Sequence, residues 1–207
     1  LHWVPLNSRQ PNPEGKGEVA MLDLLINSLR MRPDRIVVGE IRKADQAEVL
    51  FEAMHTGHSV YATLHADTVE QVLRRLTNPP IDIPITMLPA ISMIIVQYRN
   101  RRTGIRKTFQ ISEILPNSEA NVLIQLDIKS GKLRTVNRSK TLLGTIELFT
   151  GFSNSELKKS LHEKENILKW LVKQDINTVD EVGKVMAEYY TQPEYLMRLV
   201  KKNQALK

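Results

Sequence analysis

Residues 33–68 read PDRIVVGEIRKADQAEVLFEAMHTGHSVYATLHADT, and their succession of turn, strand, helix and strand decides the fold. A proline-led turn, Arg32-Pro33-Asp34, runs into the apolar block Ile36-Val37-Val38, which stops at Gly39-Glu40. A short β-branched run bounded by turn residues predicts a strand buried on both faces of a parallel sheet. Glu40 then falls at that strand's carboxyl end, the edge where open α/β sheets place their ligands. Asp45 and Glu48 have capping-box spacing, and Ala47, Leu50, Phe51 and Met54 recur with helical period. Gly57 stands where a left-handed helix stop is expected. A second short strand, Val60 to Leu64, delivers His65 to the same sheet edge as Glu40.

Within this stretch RPDRIVVGEIR (32–42) resembles the Walker B segment of the secretion ATPase superfamily, and TGHSVYATLHADT (56–68) resembles its histidine box. The flanking GEVAMLDLLINSLRMRPD (17–34) and VEQVLRRLTNPPIDIP (69–84) fit the same family, most closely its archaeal branch. The likeness extends from His2 to Leu115. These ATPases power type II secretion, type IV pili and the archaeal flagellum. The resemblance implies an α/β fold: residues 1–115 as the second half of a RecA-like P-loop NTPase domain, residues 116–207 as a C-terminal hairpin and helical extension. It further implies a homo-hexameric ring that hydrolyses ATP with Mg and works on a membrane platform protein, so a cytoplasmic protein peripheral to the membrane.

By the same likeness Glu40 is the Walker B acid, holding Mg directly or through water. His65 is the catalytic histidine of the box, and His58, its earlier member, is a candidate nucleotide ligand or a brace for the loop. Arg42 and Arg9 are candidate nucleotide ligands, with their own subunit or a neighbour's left open. His2-Trp3 to Arg9 resembles the end of the family's acidic box. No G-x-x-x-x-G-K-[ST] phosphate loop occurs; Gly15-Lys16-Gly17 has the wrong spacing and reads as a surface turn. The family carries that loop upstream, so this chain alone is expected to hydrolyse ATP poorly or not at all.

Composition sets outer bounds. At 207 residues, with 42% hydrophobic and 25% charged, the chain has material for a real core. No apolar run reaches the roughly 18 residues of a membrane span, and no basic-then-apolar leader opens the sequence. Zero cysteines exclude disulfides and thiolate metal sites. A net charge of +6 favours an acidic partner without choosing among nucleotide, nucleic acid and anionic membrane.

Outside the central stretch, Leu22, Leu25, Ile26 and Leu29 predict an apolar helical face closed by Arg30 and Arg32. Asp67 and Glu70 predict the next cap, with Val69, Val72, Leu73 and Leu76 as its stripe. Ser92 to Tyr98 and Ile105 to Leu115 predict a hairpin whose turn gathers Arg99, Arg101, Arg102, Arg106 and Lys107, a solvated edge. Val122 to Val136 predicts a second hairpin around Ser130-Gly131. Helices follow, capped by Ser153/Glu156 and Thr178/Glu181, with Pro193 opening the last. Leu157, Leu161, Ile167, Leu168 and Leu171 form the expected stripe of the first of these.

Hydrolysis of a terminal phosphate needs charge neutralisation, an oriented water and positioning. One carboxylate suffices for Mg, which keeps several of its waters, and Glu40 suits that task. A histidine on the loop after a strand, as His65 is, can donate to the phosphate and move when it leaves. His55, His58 and His65 as a zinc triad would lack a fourth ligand. Two other classes stand beside the motor reading. One is a conjugation-type nucleic-acid ATPase, disfavoured because aromatic residues are 5% of the chain and are not interleaved with the basic cluster. The other is a non-catalytic module docking on a membrane platform.

Overall fold

The computed structural model describes residues 3–206, so His2 lies outside the described residues. Two compact units follow one another, the first ending at Leu143 and the second comprising Gly144–Lys207. In the first, α1 (Met21–Arg30) buries Leu25 and packs Met21 and Leu29 on the core, while Ile26 stays exposed. It ends at Met31, and Arg32 takes a left-handed conformation (φ 51°) before Pro33. Strand β1 (Arg35–Val38) pairs in parallel with β2 (Ser59–Ala62), Ile36 opposite Val60 and Val38 opposite Ala62.

Only one face of this pair is covered. Ile36 and Val38 enter the core with Leu50 and Phe51, whereas Val37 and its opposite number Tyr61 are each 57% exposed. Burial on both faces, the sequence expectation, fails because among the described residues the sheet has two strands and no element covers that side.

Between the strands, α2 (Ala44–His55) buries Ala47, Leu50, Phe51 and Ala53. Its cap is not the Asp45/Glu48 box: Lys43 is the N-cap and lends no side-chain bond. Gln46 instead accepts the Arg42 backbone N–H at 3.2 Å. Gly57 does supply the positive φ, 93°, that turns the chain out of the helix. Helix α3 (Val69–Thr77) is capped one residue later than expected, at Thr68 and not Asp67. The Thr68 hydroxyl accepts the Gln71 N–H at 3.3 Å, and the Gln71 side chain accepts the Asp67 N–H at 2.8 Å.

A 3-10 turn (Ile85–Ala90) leads into an antiparallel sheet ordered β3-β4-β5-β6, of Ile94–Arg99, Arg106–Ile114, Ala120–Asp127 and Lys132–Thr135. The expected domain boundary after Leu115 falls inside this sheet. The second hairpin pairs with the first through β4 and β5, so both belong to the unit ending at Leu143. The basic turn is held by Asn100, which accepts the N–H groups of Arg102 and Thr103, with Gly104 at φ 72°.

Two buried polar side chains on β4 cap helices. Gln110 accepts the Val69 N–H at the start of α3 (2.9 Å) and donates to Gln125 on β5 (2.9 Å). Glu113 accepts from the backbone of Lys140 (2.6 Å) and Leu142 (2.9 Å) and from the side chains of Asn121 and Ser139 (2.7 Å each). It thereby seats the start of α4 (Leu142–Thr150). Burial pushes the Glu113 carboxyl up, but these donors outweigh it and hold it well below the usual carboxylate range.

In the second unit, α5 (Asn154–Lys173) opens with the expected reciprocal capping box between Ser153 and Glu156. Thr178 caps α6 (Val179–Thr191), and Pro193 begins α7 (Pro193–Lys202). Their core is Ile167, Trp170, Leu171, Val185 and Leu196. Leu161 and Leu168 of the expected stripe are exposed, their place being taken by Trp170, whose indole N–H reaches the Gln204 carbonyl at 3.1 Å. No helix among the described residues is long and apolar enough to cross a membrane.

Candidate functional site

Because β1 and β2 run parallel in this register, the residues just past their carboxyl ends emerge side by side. The junction is tied twice: Ile41 N–H donates to the Thr63 carbonyl at 3.1 Å, and the Thr63 hydroxyl donates to the Gly39 carbonyl. Glu40 therefore projects beside the loop that carries His65. His65 Nε2 stands 3.6 Å from Glu40 Oε1, an ion-pair distance when the ring is protonated. Arg42 places Nε at 2.7 Å and Nη2 at 2.6 Å from the other oxygen, Oε2. The Glu40 side chain is recessed, 18% exposed, whereas His65 is 86% and Arg42 71% exposed. The result is a carboxylate held at a sheet edge with one oxygen neutralised by a guanidinium and the other facing an imidazole.

The remaining candidates have other engagements. His58 Nδ1 lies 3.3 Å from both the Ala53 carbonyl and the Thr56 hydroxyl, bracing the end of α2. His55 Nδ1 is 2.8 Å from the Phe51 carbonyl. Arg9 pairs through its backbone with Val19, and its Nε donates to the Gly17 carbonyl at 2.7 Å beside Asn12 and Lys16. Among the described residues no three His, Asp or Glu side chains converge as a metal cage. Glu40 is the oxygen donor at the sheet edge, which matches a hydrated Mg ion better than a caged metal.

Two residues that sequence reading passed over fix the His65 loop. Arg75 Nη1 donates to the His65 carbonyl at 2.6 Å, and Gln110 anchors the helix on which Arg75 sits. Arg75 reads in sequence as a cation complementing the end of α3, and Gln110 as one polar residue of a strand. A glutamine within a half-buried strand was the available signal.

A cleft of about 910 Å³ adjoins the site, lined by Thr63, His65 and Arg75 on one side and by Ile95 and Gln97 on the other. It reaches His65 but not Glu40. Strands β2 and β3, which both border it, each pair on one edge alone among the described residues.

The family model described as Type II/IV secretion system protein matches residues 5–138. An uncharacterised protein of Methanocaldococcus jannaschii is 34% identical over 195 residues, 91% of this chain and 72% of that protein. A putative conjugal transfer protein of Mycobacterium tuberculosis is 47% identical over 76 residues, 36% of this chain and 21% of that one. The type IV pilus assembly ATPase PilB of Acinetobacter baylyi is 34% identical over 93 residues, 45% of this chain and 16% of that protein. This chain thus spans most of the first relative and a minor part of the other two.

Proposed function

We propose, for a chain that belongs to the type II/IV secretion system protein family, that it forms the second half of a RecA-like ATPase domain and carries the acid and the histidine of its active site. The observation that carries this reading is the delivery of Glu40 and His65 to one sheet edge by two parallel strands, with His65 Nε2 3.6 Å from Glu40 Oε1. The open edges of β2 and β3 along one cleft support it, since a strand from a phosphate-loop half would find a backbone partner on each side.

Mg bound at Glu40 would neutralise charge on the phosphates. Glu40 itself orients the attacking water through the carboxylate oxygen that Arg42 leaves free. Arg42, paired to Glu40 of its own chain, offsets the carboxylate's charge and limits its motion. His65, exposed on its loop, donates to an oxygen of the terminal phosphate and loses that contact when the phosphate departs. In the whole protein this cycle would drive subunit movement in a homo-hexameric ring, acting on a membrane platform protein from the cytoplasmic side. His58 braces the end of α2 ahead of β2; Arg9 is a candidate for a nucleotide held between subunits.

The test is ATP turnover in a polypeptide that carries a phosphate-loop half upstream of this chain. Glu40→Gln should abolish turnover while nucleotide still binds, and the chain by itself should show no Mg-dependent hydrolysis. Unchanged turnover in Glu40→Gln would overturn the reading. The conjugal transfer relative favours a second reading, translocation of nucleic acid. Binding to single-stranded DNA that survives moderate salt would select it, with the exposed Arg101 and Arg102 as the contact.

A further inference from the structure

The geometry points to Arg75 as the positioning residue of His65. This inference rests on the proposed role of His65. The His65 side chain is 86% exposed, so packing does not fix its ring, and its position is inherited from the backbone of the segment 63–68 between β2 and α3. That segment is tied at its entry by the Thr63–Gly39 and Ile41–Thr63 bonds and at its exit by Thr68, Gln71 and Gln110. At His65 itself, Arg75 Nη1 donates to the backbone carbonyl at 2.6 Å.

The reach follows from helix geometry. Side chains on a helix lean toward its N-terminus, so a long residue two turns into α3 returns over the preceding loop. The donor is cationic and planar, which makes the bond short and directional. Its base does not drift, because α3 starts on the Val69 N–H held by Gln110, a side chain only 7% exposed. The chain from β4 through α3 to His65 is therefore continuous: buried amide, helix, guanidinium, loop carbonyl. The plainer role of Arg75, complementing the dipole at the end of α3, is shared by Arg74 in the same last turn. Position on the loop is what Arg75 adds.

The experiment has two arms. In this chain, nuclear Overhauser contacts between the His65 ring and the Glu40 side chain are compared in wild type, Arg75→Ala, Arg75→Lys and Arg74→Ala. In the polypeptide carrying the phosphate-loop half, kcat and KM for ATP are measured for the same variants beside Glu40→Gln and His65→Ala. Arg75→Ala should lose the contacts and lower kcat about 10- to 100-fold with KM nearly unchanged, the scale of a displaced catalytic group. Arg75→Lys should recover part of both, and Arg74→Ala should match wild type. Retained contacts and kcat in Arg75→Ala would overturn the assignment. So would equal losses in Arg74→Ala and Arg75→Ala with lowered melting temperatures, which would mark a helix-stability effect. Wild-type turnover in Glu40→Gln and His65→Ala would sink the site reading instead, and the Overhauser arm alone would then decide the clamp.

Discussion

The Glu113 carboxylate accepts the Leu142 N–H at 2.9 Å across 29 residues of sequence, joining the middle of a sheet to the first residue of α4. Glu113 is fully buried, and its charge is balanced by donors from Lys140, Ser139 and Asn121, with no basic side chain paired to it among the described residues. Replacing it with Ala leaves the buried Asn121 amide and the partly buried donors of Ser139, Lys140 and Leu142 without their acceptor. Hydrogen bonds to a charged group are worth about 1.5–3 kcal/mol each, so the loss should be at least about 3 kcal/mol. Urea unfolding of the first unit would measure it, and a change below about 1 kcal/mol would contradict the account.

The same residue sets an acid limit. Its folded-state pKa lies below the unfolded one, so its contribution is complete above the ordinary carboxylate value of about 4.3 and drains away as pH falls toward the lowered folded value. Acid titration should therefore destabilise wild type below about pH 4 more steeply than Glu113→Gln, which has no carboxylate to protonate. Parallel acid curves for the two proteins would refute this.

Gln110→Leu removes the acceptor of the buried Val69 N–H and the partner of Gln125. The expected cost is about 1–3 kcal/mol, with amide exchange at Val69 accelerated ahead of the rest of α3. Uniform acceleration along the helix would show that Gln110 supports packing alone.

The uncovered face of the β1–β2 pair predicts contrasting costs. Val37→Ser, on the exposed side, should change stability by no more than about 0.5 kcal/mol. Phe51→Ala, 1% exposed beneath the same sheet, should cost about 3–5 kcal/mol through the cavity it leaves. Denaturant melts of both variants test the asymmetry directly.

In the second unit, Ser153→Ala should cost about 1 kcal/mol by deleting the cap of α5. Trp170 lies in that unit's core and reports its unfolding once the other tryptophan, exposed Trp3, is replaced by Phe. A melting curve of Trp170 fluorescence unmoved by Ser153→Ala would dismiss the cap as a stabilising element.

Local physics was legible in the chain. The strand Ile36–Val38, the positive φ at Gly57, both hairpin turns and the Ser153 box depend on residues adjacent or one helical turn apart, and each stands where its chemistry placed it. The meeting of Glu40 with His65 could be anticipated because two parallel strands share an edge. The ties made at long range could not. Glu113 and Gln110 find partners 27 and 41 residues away, and nothing in a strand's own pattern names the helix it will cap. The misplaced starts of α2 and α3 have a nearer cause. Gln46 and Gln71, each third in its helix, reach back to the backbone N–H groups of Arg42 and Asp67, so the helices are capped at Lys43 and Thr68 and not at Asp45 and Asp67. Exposure of Val37 was hidden for a third reason: a β-branched residue in such a strand reads as buried whether or not anything lies over it.

Strand β4 is short of the apolar alternation that ordinarily fixes how a strand lies against its neighbours, since Gln110, Ser112 and Glu113 are all buried there. Its alignment is instead pinned chemically. A slip of one residue would carry Gln110 off the Val69 amide and Glu113 off the Leu142 amide together, so misregistered pairings lose two helix caps at once. A sheet whose pattern tolerates sliding is thereby made intolerant of it.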